Sequence, residues 1–141
     1  MSTLIDFFIS DPIHVLGYLD HGNYPATDCY QTSGIGPLEV AGIYAAILGT
    51  GTGPLELMDE FKLASPEDAE EWIQSIPDEF VRILASSIDA EIPHFANAAA
   101  EITAEELAWE ASDFEPLLNT LATLSKRAQA NDLKMYYWMT L

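Results

Sequence analysis

Positive charge is what this chain has least of. Its 141 residues carry five Lys and Arg against 23 Asp and Glu, a net charge of −18, and a sequence pI near 4.1. The first basic residue is Lys62, so Asp6, Asp11, Asp20, Asp28, Glu39, Glu56, Asp59 and Glu60 precede any compensating cation. Each contact to a nucleic-acid phosphate calls for a cation, so nucleic acid is excluded as an expected partner. Anionic membranes repel such a surface as well. Two readings of the acidity stay open: it keeps a small protein soluble, or it steers a basic partner through the field of the whole surface.

Cysteine is nearly absent too. Cys29 stands alone, which rules out an intramolecular disulfide and suits a reducing compartment. Long apolar runs are missing: the longest, VAGIYAAIL at 40–48, is far short of the roughly 20 residues a bilayer requires. The first 20 residues have no basic n-region and are broken by Asp6, Asp11 and Pro12, so no signal peptide is expected. The expectation is a soluble cytoplasmic protein with no membrane association.

What is present reads as one globular domain over residues 1–141, with 49% hydrophobic residues. A chain of this length buries about two thirds of the surface its unfolded form exposes. Helix starts are expected at Ser65-Pro66-Glu67-Asp68, where a cap is followed by proline and first-turn acids. Thr103-Ala104-Glu105-Glu106 and Ser112-Asp113-Phe114-Glu115 match the capping box. Three apolar stripes carry helical spacing: Ile76, Phe80, Leu84 and Ile88; Ile92, Phe95, Ala96 and Ala99; and Phe114, Leu117, Leu118, Leu121, Leu124 and Ala128. Alternation predicts strands at 55–63 and 135–141, and weaker ones at 5–9 and 29–35. Asp11-Pro12 is expected to open a short helix running to Asp20. The fold class is therefore α+β: a mainly helical domain with a small sheet that includes the C-terminal strand.

The segment GTGTG at 49–53 invites a phosphate-cradle reading, which its surroundings oppose. No Lys follows the last glycine, and the apolar segment before it reads as a helix rather than a strand. Gly49 is expected to end that helix, and the rest to turn the chain. Other chemistry is thin. His14, His21 and His94 are scattered, and no H-x-x-x-H, H-E-x-x-H or paired-Cys motif occurs. Cys29 has acidic neighbours, which raise rather than lower a thiol pKa, and is expected to be a semi-buried apolar residue. Ser33 lacks the leading Gly-x of a nucleophile elbow. The pairs Glu70-Glu71 and Glu105-Glu106 are expected on solvated helix exteriors. No catalytic residue, cofactor or metal ligand is assigned.

The aromatics Tyr136, Tyr137 and Trp138 fall on the last predicted strand, with Trp72 and Trp109 expected on helices. Tyr137 shares a face with the methionines and is expected in the core; Tyr136 and Trp138 on the other face suit a core or an interface. The stretch from IPDEFVRILASSIDAEIPHFANAAAEIT through DFEPLLNTLATLSKRAQANDLKMYYWMTL, about half the chain, resembles a family of small, acidic, uncharacterised bacterial proteins, a domain of unknown function. These end in a long helix with a basic cluster and a Tyr-x-Trp strand, which Tyr136 and Trp138 match. The resemblance implies shape and a bacterial cytoplasmic setting, and transfers no site residue.

Two functions of different class follow. One is a non-catalytic interaction module for a basic protein partner, with a toxin-neutralising immunity protein as its most concrete form; Tyr136, Trp138, Glu67, Asp68, Glu70 and Glu71 are its expected contact residues. The other is a small enzyme or ligand-binding protein whose site is assembled from distant residues, such as His14, His21 and Asp28 beside the terminal aromatics.

Overall fold

Alternation of apolar side chains builds the centre of the molecule. In a computed structural model, which describes residues 4–15, 28–67, 71–105 and 109–140, strand β1 (Leu4–Ser10) pairs antiparallel with β4 (Lys134–Thr140). Strand β2 (Cys29–Ser33) extends the sheet beyond β1 and β3 (Glu71–Ser75) extends it beyond β4, giving the antiparallel order β2-β1-β4-β3. Five α-helices are described: α1 (Pro37–Leu48), α2 (Pro54–Leu57), α3 (Asp78–Ser86), α4 (Glu91–Ile102) and α5 (Ala111–Ala130). The α+β class is as the sequence implies, with the C-terminal strand in the sheet.

The period of two sorts the side chains of the central strands between two cores. Ile5, Phe7, Ile9, Met135 and Tyr137 join the main cluster, which α5 covers by packing on β1 and β4. Phe8, Tyr136 and Trp138 point to the opposite face, where with Val15 and Ile73 they make a second cluster. Phe8 and Tyr136, directly opposed across the β1–β4 ladder, stack at 5.6 Å. On this second face Asp6 is buried and accepts a 2.8 Å hydrogen bond from Gln31 Nε2, its register partner on β2.

All six residues of the long stripe on α5 and all four on α4 are buried, as their spacing predicts. On α3, Phe80 and Leu84 are buried, whereas Ile88 lies past the helix end and is exposed. Helix α1 is buried from Val40 to Ile47 because α2, α3 and α4 surround it. Gly42 permits the close crossing with α4: a Cβ there would sit 2.7 Å from Thr103 Cγ2. Gly49 ends α1 in the left-handed conformation at φ 64°, as expected from its place after Leu48.

Six local expectations are corrected. Residues 55–63 form no strand but α2 followed by a 3-10 turn (Met58–Glu60), since Pro54 stands at a first helical position and Leu57 and Phe61, four apart, are the buried pair. Only Leu63 bridges to Gln74. Ser65 caps no described helix: its hydroxyl accepts the Ile73 N–H at 3.0 Å, and residues 62–65 run along the outer edge of β3, with Ala64 donating to the Ile73 carbonyl at 2.7 Å. Trp72 therefore lies on a strand rather than a helix, and Trp109 precedes α5. Thr103 closes α4 instead of opening a helix, its Oγ1 donating to the Ala99 carbonyl at 2.8 Å. The start of α5 is set by Asp113, whose carboxylate accepts the Glu110 N–H at 2.8 Å, two residues before the expected box. Asp11 does cap a turn, accepting the Ile13 and His14 N–H groups at 2.9 and 3.0 Å; the expected run to Asp20 lies outside the described residues.

A line of aromatic rings links α1 to the sheet. Tyr44 packs on Phe80 at 5.7 Å and on Phe61 at 5.8 Å, and Phe61 packs on Tyr137 at 6.2 Å. Burial pushes the Tyr44 phenol above its ordinary pKa, with Glu60 and Glu79 adding to the shift, and burial alone does the same to Tyr137. A phenol whose folded pKa is raised contributes stability that is complete below the unfolded value, about 10, and lost as pH rises beyond it. Alkaline titration should therefore show the Tyr44 and Tyr137 phenolates appearing together with the loss of far-UV circular dichroism. Six phenolates titrating near pH 10 in a still-folded protein would contradict this.

Candidate functional site

Small side chains shape one open apolar surface. Where Gly49 ends α1, Gly51 turns at φ 82° and Pro54 starts α2, so the glycine segment passes over Ala45 and Ala46 with little bulk of its own. Against Ala98 and Ile102 of α4 this leaves a groove of about 290 Å³. Pro54 and Ile102 also border a second depression of about 140 Å³, completed by Leu38, Glu39, Leu55 and Thr103, so the two are neighbours. Leu55 is 74% and Ile102 37% exposed. Segments 37–61 and 91–105, which build this surface, carry Glu39, Glu56, Asp59, Glu60, Glu91, Glu101 and Glu105 and no Lys or Arg.

The cations lie elsewhere. Lys62 is beside β3, and Arg82, Lys126, Arg127 and Lys134 belong to α3, α5 and the start of β4. Arg82 and Lys134 line a cleft of about 530 Å³ between α3 and the end of α5, together with Asp78, Glu79 and Asp132. Both are matched by carboxylates: Arg82 Nε donates to Glu79 at 2.9 Å, and Lys134 Nζ reaches Asp78 at 3.2 Å. The hydrogen bond from Arg82 holds the Glu79 carboxyl below its ordinary pKa. These pairs are exposed, so they contribute little to stability.

Asp132 in the same cleft has φ 54°, the one non-glycine residue in the left-handed region among those described. It occupies the position just past α5 where Leu133 donates to the Ala128 carbonyl at 2.8 Å and Asp132 to Gln129 at 3.4 Å, a closure that ordinarily takes glycine.

The residues singled out in the sequence separate in space. Tyr136 and Trp138, 5% and 4% exposed, belong to the second core and present no contact surface; alternation put them opposite the main core but could not show that this face is also covered. Glu67 is exposed on a turn and Glu71 begins β3, while Asp68 and Glu70 lie outside the described residues. His14 Nδ1 pairs with Asp11 at 2.8 Å, which keeps the Asp11 carboxyl below its ordinary pKa, and Asp28 pairs with Arg127 Nε at 2.5 Å; His21 lies outside the described residues. Among the described residues no three His, Cys, Asp or Glu side chains are placed to hold a metal ion. Cys29 is half-buried against the second cluster, as expected of an apolar residue. No described helix is long and apolar enough to cross a membrane.

Leu55 and Ile102 were missed. Treating 55–63 as a strand placed Leu55 on one face with Leu57, whereas a helical period sends residues two apart to opposite sides. That period was the available signal. No family model matches the chain, and no curated protein or solved structure shows significant similarity to it.

Replacing Asp132 by glycine removes the cost of a left-handed L-residue and an acid at a helix C-terminus, and should stabilise the fold by about 1 kcal/mol in urea unfolding. An unchanged or lowered midpoint would show that the carboxylate stabilises the fold in its present place.

Proposed function

We propose that the chain is a non-catalytic interaction module whose base-free surface on α1, α2 and α4 binds a basic protein. The observation that carries this reading is the coincidence of charge and shape: the elements carrying seven acids and no base also hold two neighbouring, largely apolar depressions, with Leu55 and Ile102 exposed at them. Apolar anchors inside a charged surround are how protein interfaces divide the work, the anchors giving affinity and the charges giving rate and selectivity. The net charge of −18 speeds the approach of a cationic partner and repels nucleic acid and anionic lipid. A toxin-neutralising immunity protein is the most concrete form of such a module, and the bacterial cytoplasm, where a lone cysteine stays reduced, is the setting that suits it.

The test combines affinity capture with kinetics. Immobilised protein should retain a basic protein from the source organism's extract. The association rate with that protein should fall steeply between about 50 and 200 mM salt, because the Debye length shortens over that range. Glu56→Lys with Glu101→Lys should slow association about tenfold while leaving the melting temperature within about 2 °C, since both residues are exposed. Leu55→Ser should act on dissociation instead. Association indifferent to salt and to the double reversal would overturn the proposal.

A further inference from the structure

On the other side of the first turn of α1 the chain has a small aromatic pocket. Leu38 faces the groove; Pro37 faces this pocket of about 110 Å³, which Met58, Phe61, Trp72, Gln74 and Tyr137 complete. Three elements deliver its rings. Phe61 follows the 3-10 turn, Trp72 and Gln74 share one face of β3, and Tyr137 opposes Gln74 across the β3–β4 ladder. Phe61 and Tyr137 meet at 6.2 Å and 59°, so two walls are angled to each other, and half-buried Trp72 stands at the accessible side.

The pocket's hydroxyl and its side-chain carbonyl are bonded to each other. Tyr137 donates its hydroxyl hydrogen to Gln74 Oε1, so the carboxamide oxygen is engaged. Among the described residues no carboxylate and no cation lines the wall. A primary ammonium entering here would bring N–H donors that find few acceptors, and buried donors without partners are costly. A methylated ammonium has no such donors. It keeps a diffuse positive charge that aromatic quadrupoles attract, and binding among rings is the usual way quaternary ammonium groups are held. At about 110 Å³ the pocket is smaller than the roughly 150 Å³ cavity that accepts benzene, so the head is held at the open side, where Met58 and Trp72 are half-buried. The surrounding field favours the charge: Asp59 and Glu60 sit in the same turn as Met58, within a protein of net charge −18. We infer that this pocket is a binding site for a methylated ammonium group, carried either by a free small molecule or by a methylated lysine side chain.

The pocket can be tested without a protein partner, so its failure would leave the basic-partner proposal standing, and the reverse holds. Choline and its neutral isostere 3,3-dimethylbutan-1-ol are titrated by calorimetry against the intact protein. Choline should bind at least about ten times more tightly, the difference being the charge alone. Trp72→Leu, which keeps apolar volume and removes the ring, should reduce choline binding at least about tenfold, and Met58→Phe, which fills the accessible side, should do so with every ring of the wall retained. A short peptide bearing trimethyllysine, compared with the same peptide unmodified, separates the sources: tighter binding than choline assigns the site to a partner's side chain, and weaker binding assigns it to a free ligand. Equal binding of choline and the neutral alcohol, or binding of neither, overturns the inference.

Discussion

Burial of one strand pair on both faces is the constraint from which the rest of the structure follows. β1 and β4 are the first and last described strands, and their pairing brings Phe7 opposite Tyr137 on one face and Phe8 opposite Tyr136 on the other. Both faces are occupied, by α5 and the main cluster on one side and by the second cluster on the other. A contact joining residues so distant in sequence closes a long loop before it returns any stabilisation, so two cores must form around it to offset that entropy. The outer edge of β3 is then covered by residues 62–65, which limits the strand surface left to pair with other chains.

That arrangement decides where function can sit. With Tyr136 and Trp138 inside, the sheet offers no aromatic contact patch at its centre, and the proposed interaction surface lies on the helical side. There α1, buried from Val40 to Ile47, acts as the floor, its glycine-terminated end bordering the groove and its first turn dividing groove from aromatic pocket. Charge is divided along the same line. The cations sit on or beside other elements, and Arg82, Arg127 and Lys134 are paired with carboxylates. The surface of α1, α2 and α4 is left with acids only.

Much of the helical part was legible because helical periodicity is a local signal: the stripes on α4 and α5 and the glycine that ends α1 needed no tertiary information. The errors occurred where two signals competed. Around 55–63 alternating leucines outvoted Pro54 and the four-residue spacing of Leu57 and Phe61. At Ser65 a serine-proline-acid sequence suited a cap, but the hydroxyl serves the backbone of β3 eight residues on. Thr103 has the right residues for a helix start and lies at a helix end because α1 packs on it through Gly42. The candidate groove and the aromatic pocket join segments far apart in the chain, so no motif could have announced them.

Native-state hydrogen exchange, read amide by amide, tests the central place of the β1–β4 pair most directly. The amides of Ile5–Ile9 and Met135–Met139 should be the slowest in the protein and should exchange only through global unfolding, with the same free energy that denaturant unfolding gives. If β4 exchanges through local opening, faster than the interior of α4 or α5, the strand is an appendage rather than the centre.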